Sequence, residues 1–265
     1  MYVWQFYIGL FRIYSLMGKI DREKYKVMHN VFDDFTNRTL FQLISQGHFI
    51  GLLSPIMIGK ESNVFSARTQ TGLVAVKIYR LEACDFNRMY EYIREDPRYA
   101  DLRGKRRKII FSWVQREFRN LLKAREAQVN VPKPIAFGNN VLVMEFIGGE
   151  EPALQLKDAT LSDPAKYLDE IIQNIRRLYG AGLIHGDLSP FNILDYENHP
   201  ILIDFSQCSP ISISRSKEFL DRDIQNCLNH FKKLGIVRNL EETRSAITSG
   251  LSPLSKRAKK EAMLK

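Results

Sequence analysis

The stretch LIHGDLSPFNILD, residues 183–195, carries an acid, Asp187, and an amide, Asn192, on a segment interrupted by a proline. A strand-like run, LIDFS, follows at 202–206 and contains a second acid, Asp204. Phosphoryl transfer from ATP requires one acid that orients the acceptor hydroxyl, and an amide and a second acid that bind Mg²⁺. A lone Asp–Asn pair on a turn is more often a local cap, so the interpretation depends on the rest of the chain.

A candidate phosphate-binding lysine precedes this stretch. Lys77 ends the run VAVK, which is typical of the kinase strand whose lysine holds the α- and β-phosphates of ATP. An amphipathic helix is predicted to follow it, and Glu117 on that helix can pair with Lys77 and hold it in place. Glu126 is a weaker alternative because it lies near the predicted helix end.

The candidate phosphate loop is an incomplete glycine-rich loop. Of the three positions that are usually glycine, only Gly59 is kept, and Met57 and Ser62 occupy the others. Backbone N–H groups can still cradle phosphate there, the Ser62 hydroxyl can add a contact, and Lys60 adds charge. Loop, lysine, acid and metal ligands therefore occur in the order that a kinase-type nucleotide site needs.

The strand predicted at 141–147 is similar to a kinase hinge. We expect main-chain groups of Glu145 and Ile147 to bond the adenine, and Met144 to occupy the gatekeeper position. Apolar side chains should cover the faces of the ring. The residues predicted to contact the nucleotide are Ile58, Gly59, Lys60, Ser62, Val64, Ala75, Lys77, Glu117, Met144, Glu145, Ile147, Leu194 and Ile203.

Two departures separate the chain from ordinary protein kinases. Gly186 stands where an arginine usually precedes the catalytic acid, so a phosphorylated activation loop has no charge partner. No A-P-E motif follows Asp204, and a helix is predicted almost at once. The helical half therefore lacks the segments that build a peptide groove.

The order of the predicted elements gives the fold class. Short β-branched runs dominate the first half and amphipathic helices the second, which predicts an α+β, two-lobed, truncated protein-kinase-like fold with a β-rich N-lobe and a helical C-lobe. The predicted helices are 31–47, capped by Thr36 or Asn37, then 113–127, 165–181 and 215–234. The predicted divisions are an N-terminal extension 1–30, an N-lobe 31–143 with a flexible insert at 82–110, a hinge and reduced C-lobe 144–240, and a basic tail 241–265.

These motifs together resemble the RIO kinases, an atypical family tied to maturation of the small ribosomal subunit. The similarity runs from about Thr39 to Gly235, and its most specific pieces are IGKESNVFSAR, AVKIYR, WVQREFRNLLKA, VLVMEFIGGEE, IHGDLSPFNIL and LIDFSQ. The run before the phosphate loop is similar to the original branch, without a winged helix, and an archaeal member is expected. The resemblance implies an atypical serine/threonine protein kinase or an ATPase, with ATP and Mg²⁺ as cofactors and Mn²⁺ as an alternative metal.

The resemblance also implies partners and an acceptor. The partner would be the precursor of the small ribosomal subunit, its rRNA and proteins, in the cytoplasm and without a membrane. Asp204 would itself receive the γ-phosphate as a transient acyl phosphate. A metal-bound carboxylate is a weakened nucleophile, however, so phosphorylation of a serine or threonine hydroxyl stays open as the alternative.

Charge and cysteine content bear on the partner and the compartment. The formal net charge is +9, which fits either a polyanionic partner or a merely soluble basic surface. The run RGKRRK at 103–108 and the terminal SKRAKKEAMLK are either RNA contacts or solvated segments.

Three cysteines fit neither a zinc site nor a disulfide framework, which favours a reducing intracellular compartment. The apolar run 1–17 is too short to span a bilayer, and residues 1–16 are predicted to be a dispensable extension or, alternatively, an interfacial helix.

Two other function classes stay open at this point. HGDLxxxNIL is shared with small-molecule phosphotransferases of the aminoglycoside and choline kinase type. The phosphate loop and the run LIDFSQ favour the RIO kinases over that class. A nucleotide-gated assembly factor that hydrolyses ATP but phosphorylates no protein has the same motifs, and the missing peptide groove supports it.

Overall fold

The computed structural model describes residues 32–81, 89 and 106–250. The predicted N-terminal extension, most of the predicted insert and the terminal basic run lie outside the described residues. Within the described ranges, none of the helices combines the length and the hydrophobicity that crossing a membrane requires.

The N-lobe is built on a five-stranded antiparallel sheet with the strand order β1-β2-β3-β5-β4. Its central strand, β3, is buried along nearly its whole length because the sheet is covered on both faces, and its β-branched residues suit that environment. The strands are β1 Gly51–Ile58, β2 Ser62–Arg68, β3 Leu73–Tyr79, β4 Pro134–Gly138 and β5 Val141–Glu145. The sequence analysis did not predict β4.

Helix α1, Asp34–Ser45, packs on the sheet through Leu40 and Leu43. The predicted caps, Thr36 and Asn37, were wrong. The N-cap is Asp33, whose carboxylate accepts a 2.8 Å hydrogen bond from the Thr36 backbone N–H. Asp33 takes this role because it is the last extended residue before the helix, and a carboxylate there satisfies a free N–H.

Helix α2, Arg106–Glu126, covers the other face of the sheet and reaches the C-lobe. The predicted insert boundary at residue 110 was wrong, because residues 106–110 already belong to this helix. Ile109 and Ile110 are buried and begin the apolar stripe that Trp113 continues. Their burial provides the packing energy that extends the helix towards its N-terminus.

The C-lobe is mainly helical, with two small sheets. A three-stranded sheet has the order β6-β8-β9, and β7 pairs with β10 beside it. The helices are α3 Pro164–Gly180, α4 Ser216–Lys233 and α5 Leu240–Thr248. The strands are β6 Leu154–Gln155, β7 Leu183–Ile184, β8 Ile193–Tyr196, β9 His199–Leu202 and β10 Ser209–Pro210.

The predicted tail 241–265 was wrong in its first part, because α5 packs against α3 and α4. Asn239 caps this helix by accepting from two backbone N–H groups, and Ile247 is fully buried. Arg244 forms an ion pair with Asp221 of α4, with a nitrogen–oxygen distance of 2.8 Å. The helical lobe therefore continues to Thr248.

Candidate active site

A buried lysine links the two lobes. Lys77 on β3 donates to Glu117 Oε1 of α2 at 2.8 Å and to Asp204 Oδ1 of the C-lobe at 2.9 Å. Tyr79, two residues along β3, donates its hydroxyl to the other oxygen of Glu117 at 2.5 Å. Lys77 and Glu117 are 4% and 1% exposed, whereas the Asp204 side chain is 38% exposed. The predicted Lys77–Glu117 pair is therefore formed, and Asp204 joins it.

Opposite charges fix the protonation states of this cluster. Burial lowers the pKa of Lys77, but the carboxylates of Asp204 and Glu117 outweigh burial, and the pKa lies well above its usual value. Burial raises the pKa of Asp204, but Lys77 outweighs that effect and brings it down to about 2. At neutral pH Lys77 is thus a cation and Asp204 an anion, as phosphate binding and metal binding require.

The catalytic loop, defined here as residues 185–192, brings Asp187 and Asn192 together. The Asn192 amide donates to the Asp187 carbonyl oxygen at 2.8 Å and is 3.5 Å from the carboxylate oxygen Oδ2. Gly186 has a φ of +80°. A side chain at that position would be strained, and its Cβ would lie 3.1 Å from the Gln207 carbonyl oxygen. The glycine that replaces the usual arginine is therefore required by the backbone.

Helix α4 holds the catalytic loop through residues that the sequence analysis missed. Asp223, 1% exposed, accepts from the backbone N–H groups of Gly186 and Leu188, each at 2.8 Å. Asn226 donates to the Leu188 carbonyl oxygen at 2.9 Å, and Arg222 donates to the Gly186 carbonyl oxygen. A signal was available in the sequence: Asp223 is an acid on the apolar face of a predicted helix, and such an acid must be paired.

Helix α2 holds the turn that follows Asp204, again through residues not predicted. The buried Arg116 donates to the Cys208 carbonyl oxygen and the Ser209 hydroxyl oxygen, both at 2.9 Å. Asn120 donates to the Cys208 carbonyl oxygen at 2.9 Å as well. One helix therefore positions Lys77, the predicted phosphate ligand, through Glu117. It also positions the segment after Asp204, the predicted metal ligand, through Arg116 and Asn120.

The oxygen atoms needed for Mg²⁺ are present. The Asn192 side chain uses its nitrogen to bind Asp187, and its oxygen accepts no hydrogen bond from any described residue. Asp204 uses Oδ1 for Lys77 and for the Ser206 N–H, which leaves Oδ2. The described residues contain no cluster of three or more His, Cys, Asp or Glu side chains suited to a metal. Two oxygen ligands fit Mg²⁺, which takes its remaining ligands from water and phosphate.

The phosphate loop lies in the tight turn between β1 and β2. The Gly59 N–H donates to the Ser62 carbonyl oxygen at 3.0 Å, and a Cβ on Gly59 would lie 2.8 Å from that oxygen. Glycine is therefore required here, although the other two glycine positions are substituted. Ile58 and Lys60 are exposed on this turn.

The sheet places part of the predicted adenine pocket side by side. Ala75 on β3 pairs with Met144 on β5, and Val64 on β2 pairs with Lys77. Leu194 and Ile203 of the C-lobe are both partly buried, on β8 and just after β9. Their contact with adenine stays a prediction, since it depends on a bound nucleotide.

The hinge residues have some of their main-chain groups already engaged. The Glu145 N–H donates to the Lys133 carbonyl oxygen at 2.8 Å, and the Ile147 carbonyl oxygen accepts from the Ala153 N–H at 2.9 Å. The Glu145 carbonyl oxygen and the Ile147 N–H are therefore the groups of this pair that we predict to bond the base. These are one acceptor and one donor, which matches the amino group and the ring nitrogen on one edge of adenine.

This geometry is that of one class of enzymes, the ATP-dependent phosphotransferases with a protein-kinase-like fold. A family model described as RIO domain matches residues 63–244. The chain therefore belongs to the RIO kinase family, as its motifs predicted.

Archaeal relatives agree with this assignment. The chain is 39% identical over 217 residues to the RIO-type serine/threonine-protein kinase Rio1 of Haloferax volcanii, covering 81% of this chain and 75% of that protein. It is 40% identical over 228 residues to the protein of the same name from Methanocaldococcus jannaschii, covering 85% and 78%. Both carry the Rio1 name, in agreement with the predicted branch.

A solved structure confirms the fold. The Rio2 kinase of Chaetomium thermophilum, in a complex described as ADP/Mg²⁺-phosphoaspartate, aligns with a TM-score of 0.63 and 23% identity, over 85% of this chain and 70% of that one. At this identity the similarity supports the two-lobed α+β kinase-like architecture.

His185 leads to a prediction about stability. Its ring is buried, and Nε2 carries the proton because it donates to the Ile203 carbonyl oxygen at 3.0 Å. Burial lowers the pKa of His185 from 6.5 to about 4. As the pH falls, His185 therefore takes up a proton in the unfolded chain before it does so in the folded protein. The free energy of unfolding decreases between pH 6.5 and about pH 4. We expect this histidine alone to reduce the free energy of unfolding by about 3 kcal/mol on going from pH 7 to pH 4.

Urea unfolding at several pH values tests this effect. His185→Asn keeps a donor for Ile203 and should show a shallower loss of stability below pH 6.5 than the wild type. His48→Asn, a change at a partly exposed histidine of the N-lobe, is the control and should follow the wild type. Parallel pH profiles for all three proteins would contradict a neutral, buried His185.

Proposed function

We propose that this chain is an ATP- and Mg²⁺-dependent serine/threonine protein kinase that also hydrolyses ATP, and that it acts in maturation of the small ribosomal subunit. The observation that carries the proposal is the contact of Lys77 with both Glu117 and Asp204. It joins the phosphate-binding lysine of one lobe to a metal-binding acid of the other. The names of the relatives support kinase activity, whereas the ribosomal role rests on the resemblance and on basic charge.

The roles of the residues follow from their positions. Lys77 binds the α- and β-phosphate oxygens, and the Gly59–Ser62 turn covers the phosphates. The oxygen of the attacking hydroxyl bonds to the γ-phosphorus while Asp187 accepts the proton of that hydroxyl. The bond between the γ-phosphorus and the bridging oxygen breaks, and the bridging oxygen leaves with ADP. Asn192 and Asp204 would hold Mg²⁺, which when bound neutralises phosphate charge. Mn²⁺ has the same oxygen preference and is a second candidate metal.

The two alternative function classes that the sequence left open are not equally compatible with the comparisons. Membership in the RIO kinase family argues against a small-molecule phosphotransferase. The nucleotide-gated assembly factor differs from a protein kinase only in its products. Labelled ATP incubated with and without pre-ribosomal particles separates the two, provided that free phosphate and phosphoprotein are followed separately.

The first test of the site concerns Asp187. Asp187→Asn removes the proton acceptor without changing the size of the side chain, so we expect turnover to fall roughly 10²- to 10⁴-fold. Nucleotide affinity should change little, because the acid acts on the acceptor. Asp204→Asn should weaken nucleotide binding in the presence of Mg²⁺, since it removes a charged metal ligand.

Turnover of labelled ATP and calorimetric titration with a non-hydrolysable ATP analogue measure these two effects. Asp158→Asn, at an exposed acid of the C-lobe, is the matched control and should behave as the wild type. Unchanged turnover in Asp187→Asn would refute the assignment of this acid.

We further propose that Asp204 receives the γ-phosphate when no protein acceptor is bound. Its carboxylate is ionised and its side chain is partly exposed. Attack of a carboxylate oxygen on the γ-phosphorus releases ADP and forms an acyl phosphate, and water then hydrolyses this anhydride to free phosphate. The complex with Rio2 kinase is described as containing a phosphoaspartate. Lys77 opposes the reaction by reducing the nucleophilicity of Asp204, so the intermediate should be transient.

Acyl phosphate chemistry tests this step. Protein labelled with γ-labelled ATP should lose its label to hydroxylamine or alkali, and Asp204→Asn should not acquire such a label. A label that resists hydroxylamine and is stable in acid would place the phosphate on a serine or threonine hydroxyl and contradict the acyl phosphate. Asp158→Asn serves again as the control, and it should label as the wild type does.

The N-terminus of α2 supports a polyanionic partner. Arg107 and Lys108 are exposed there, and the first turn of α2 carries no acid. Cations at a helix N-terminus oppose the helix dipole, so this placement does not serve helix stability. Backbone N–H groups and basic side chains at one helix end instead favour phosphate. Arg103 and Lys105 of the same basic run lie outside the described residues.

The proposed compartment is the cytoplasm. Cys208 and Cys227 are buried free thiols, which fits a reducing environment.

Neutralising this basic end tests RNA binding. Arg107→Gln with Lys108→Gln should weaken binding to pre-ribosomal RNA and lower the slope of log K against log salt by about 1 to 2, since each phosphate contact contributes about 0.7 to 0.9. Extending the change to Arg103, Lys105 and Arg106 should increase the effect. Lys232→Gln with Lys233→Gln, two exposed lysines at the end of α4, is the control of equal charge. If both double variants bind RNA as the wild type does at every salt concentration, the basic end of α2 is a solvated surface and the proposed RNA contact is contradicted.

A further inference from the structure

Gln207 contacts the catalytic acid from the turn that follows Asp204. Its side-chain nitrogen Nε2 donates to Asp187 Oδ2 at 3.2 Å. Its side-chain oxygen Oε1 is buried and has no hydrogen-bond partner among the described residues. The proposed mechanism above gives this residue no role, although it is part of the LIDFSQ run.

The orientation of the Gln207 amide follows from charge. Turning the amide over would direct its oxygen at the Asp187 carboxylate and bring two acceptors together, which is repulsive. A buried carbonyl oxygen without a partner is costly. In the observed orientation the side-chain oxygen of Gln207 stays without a partner while its N–H group donates to the Asp187 carboxylate. The contact with Asp187 is therefore the interaction that fixes the side chain.

The backbone around Gln207 is held from two sides. The Ser209 hydroxyl donates to the Gln207 carbonyl oxygen at 2.8 Å, and Arg116 of α2 donates to the Ser209 hydroxyl oxygen at 2.9 Å. On the other side Gly186, having no side chain, allows the catalytic loop to pass close to the same carbonyl oxygen. Gln207 is therefore fixed relative to both α2 and the catalytic loop.

We propose that Gln207 is a positioning residue for phosphoryl transfer: it fixes one oxygen of the Asp187 carboxylate and thereby directs the other towards the acceptor hydroxyl. The inference rests on the proposed function, since it takes Asp187 as the acid that faces the acceptor. Asn192 approaches the same Oδ2 atom at 3.5 Å, beyond a good hydrogen bond, so Gln207 is a stronger donor to this atom than Asn192.

Two substitutions of similar size test the role of the donor. Gln207→Leu removes the N–H, and we expect kcat to fall roughly 10- to 100-fold, as for a hydrogen bond to a charged group. The affinity for a non-hydrolysable ATP analogue should stay within about twofold, since Gln207 does not contact the nucleotide in this proposal. Gln207→Glu places a second carboxylate beside Asp187 and should lower kcat at least as much at neutral pH.

The separation of kcat from nucleotide affinity distinguishes positioning from a structural effect. A residue that only supports the fold would, when replaced, lower thermal stability and nucleotide affinity together with kcat. Loss of the donor on Asp187 should instead lower kcat while stability and nucleotide affinity stay near their wild-type values. Gln225→Leu and Gln225→Glu, on α4, are the matched controls and should keep wild-type kcat and nucleotide affinity.

The outcomes are distinguishable. If Asp187→Asn turns over ATP as the wild type does, the proposed function itself is wrong. If Asp187→Asn is inactive and Gln207→Leu keeps wild-type kcat, only the role of Gln207 is overturned. A fall of kcat in Gln207→Leu that comes with an equal loss of nucleotide affinity and of thermal stability would also overturn it. If Gln207→Leu does not fold, Gln207→Glu decides the question, and a wild-type kcat for Gln207→Glu would contradict the proposal.

Discussion

The buried ammonium group of Lys77 is the constraint on which the site depends. It lies between Glu117 and Asp204, so β3, α2 and the segment after β9 must all meet at one point. Removing one partner from a buried charge cluster costs roughly 3–5 kcal/mol, because it leaves an uncompensated charge. Such a cluster adds little net stability compared with apolar packing. Its use here is positional: it holds a cation and an anion at the places where we propose that phosphate and metal bind.

Helix α2 transmits this constraint to the rest of the site. Glu117 fixes Lys77, while Arg116 and Asn120 hold the 205–209 turn. That turn carries Gln207, which donates to Asp187. From the other side, Asp223 of α4 holds the backbone on both sides of Asp187. The catalytic acid is therefore supported from both lobes, and a shift of α2 would disturb the lysine and the acid together.

The sequence predicted the parts of the site that obey short spacing rules. Lys77 on its strand, the Asp187–Asn192 pair and Asp204 each have a local pattern. The structure forms the predicted Lys77–Glu117 pair and adds a contact between Lys77 and Asp204 that was not predicted. Arg116, Asp223 and Asn226 had no such pattern, because their partners lie 35 or more residues away in the chain and depend on how the helices pack. The boundary errors have a related cause. Residues 106–110 and 240–248 are rich in charge and polarity, and the burial of Ile110 and Ile247 against distant elements, which favours their helices, has no local pattern.

A crystal structure with Mg²⁺ and a non-hydrolysable ATP analogue tests the central claim most directly. The account predicts phosphate oxygens on Lys77, and the metal on Asn192 Oδ1 and Asp204 Oδ2. It also predicts adenine against Ala75 and Met144, bonded to the Glu145 carbonyl oxygen and the Ile147 N–H. The γ-phosphate should lie beside the Asp187 carboxylate. A nucleotide bound elsewhere, or a metal held without Asp204, would contradict the assignment of this cleft as the phosphoryl-transfer site.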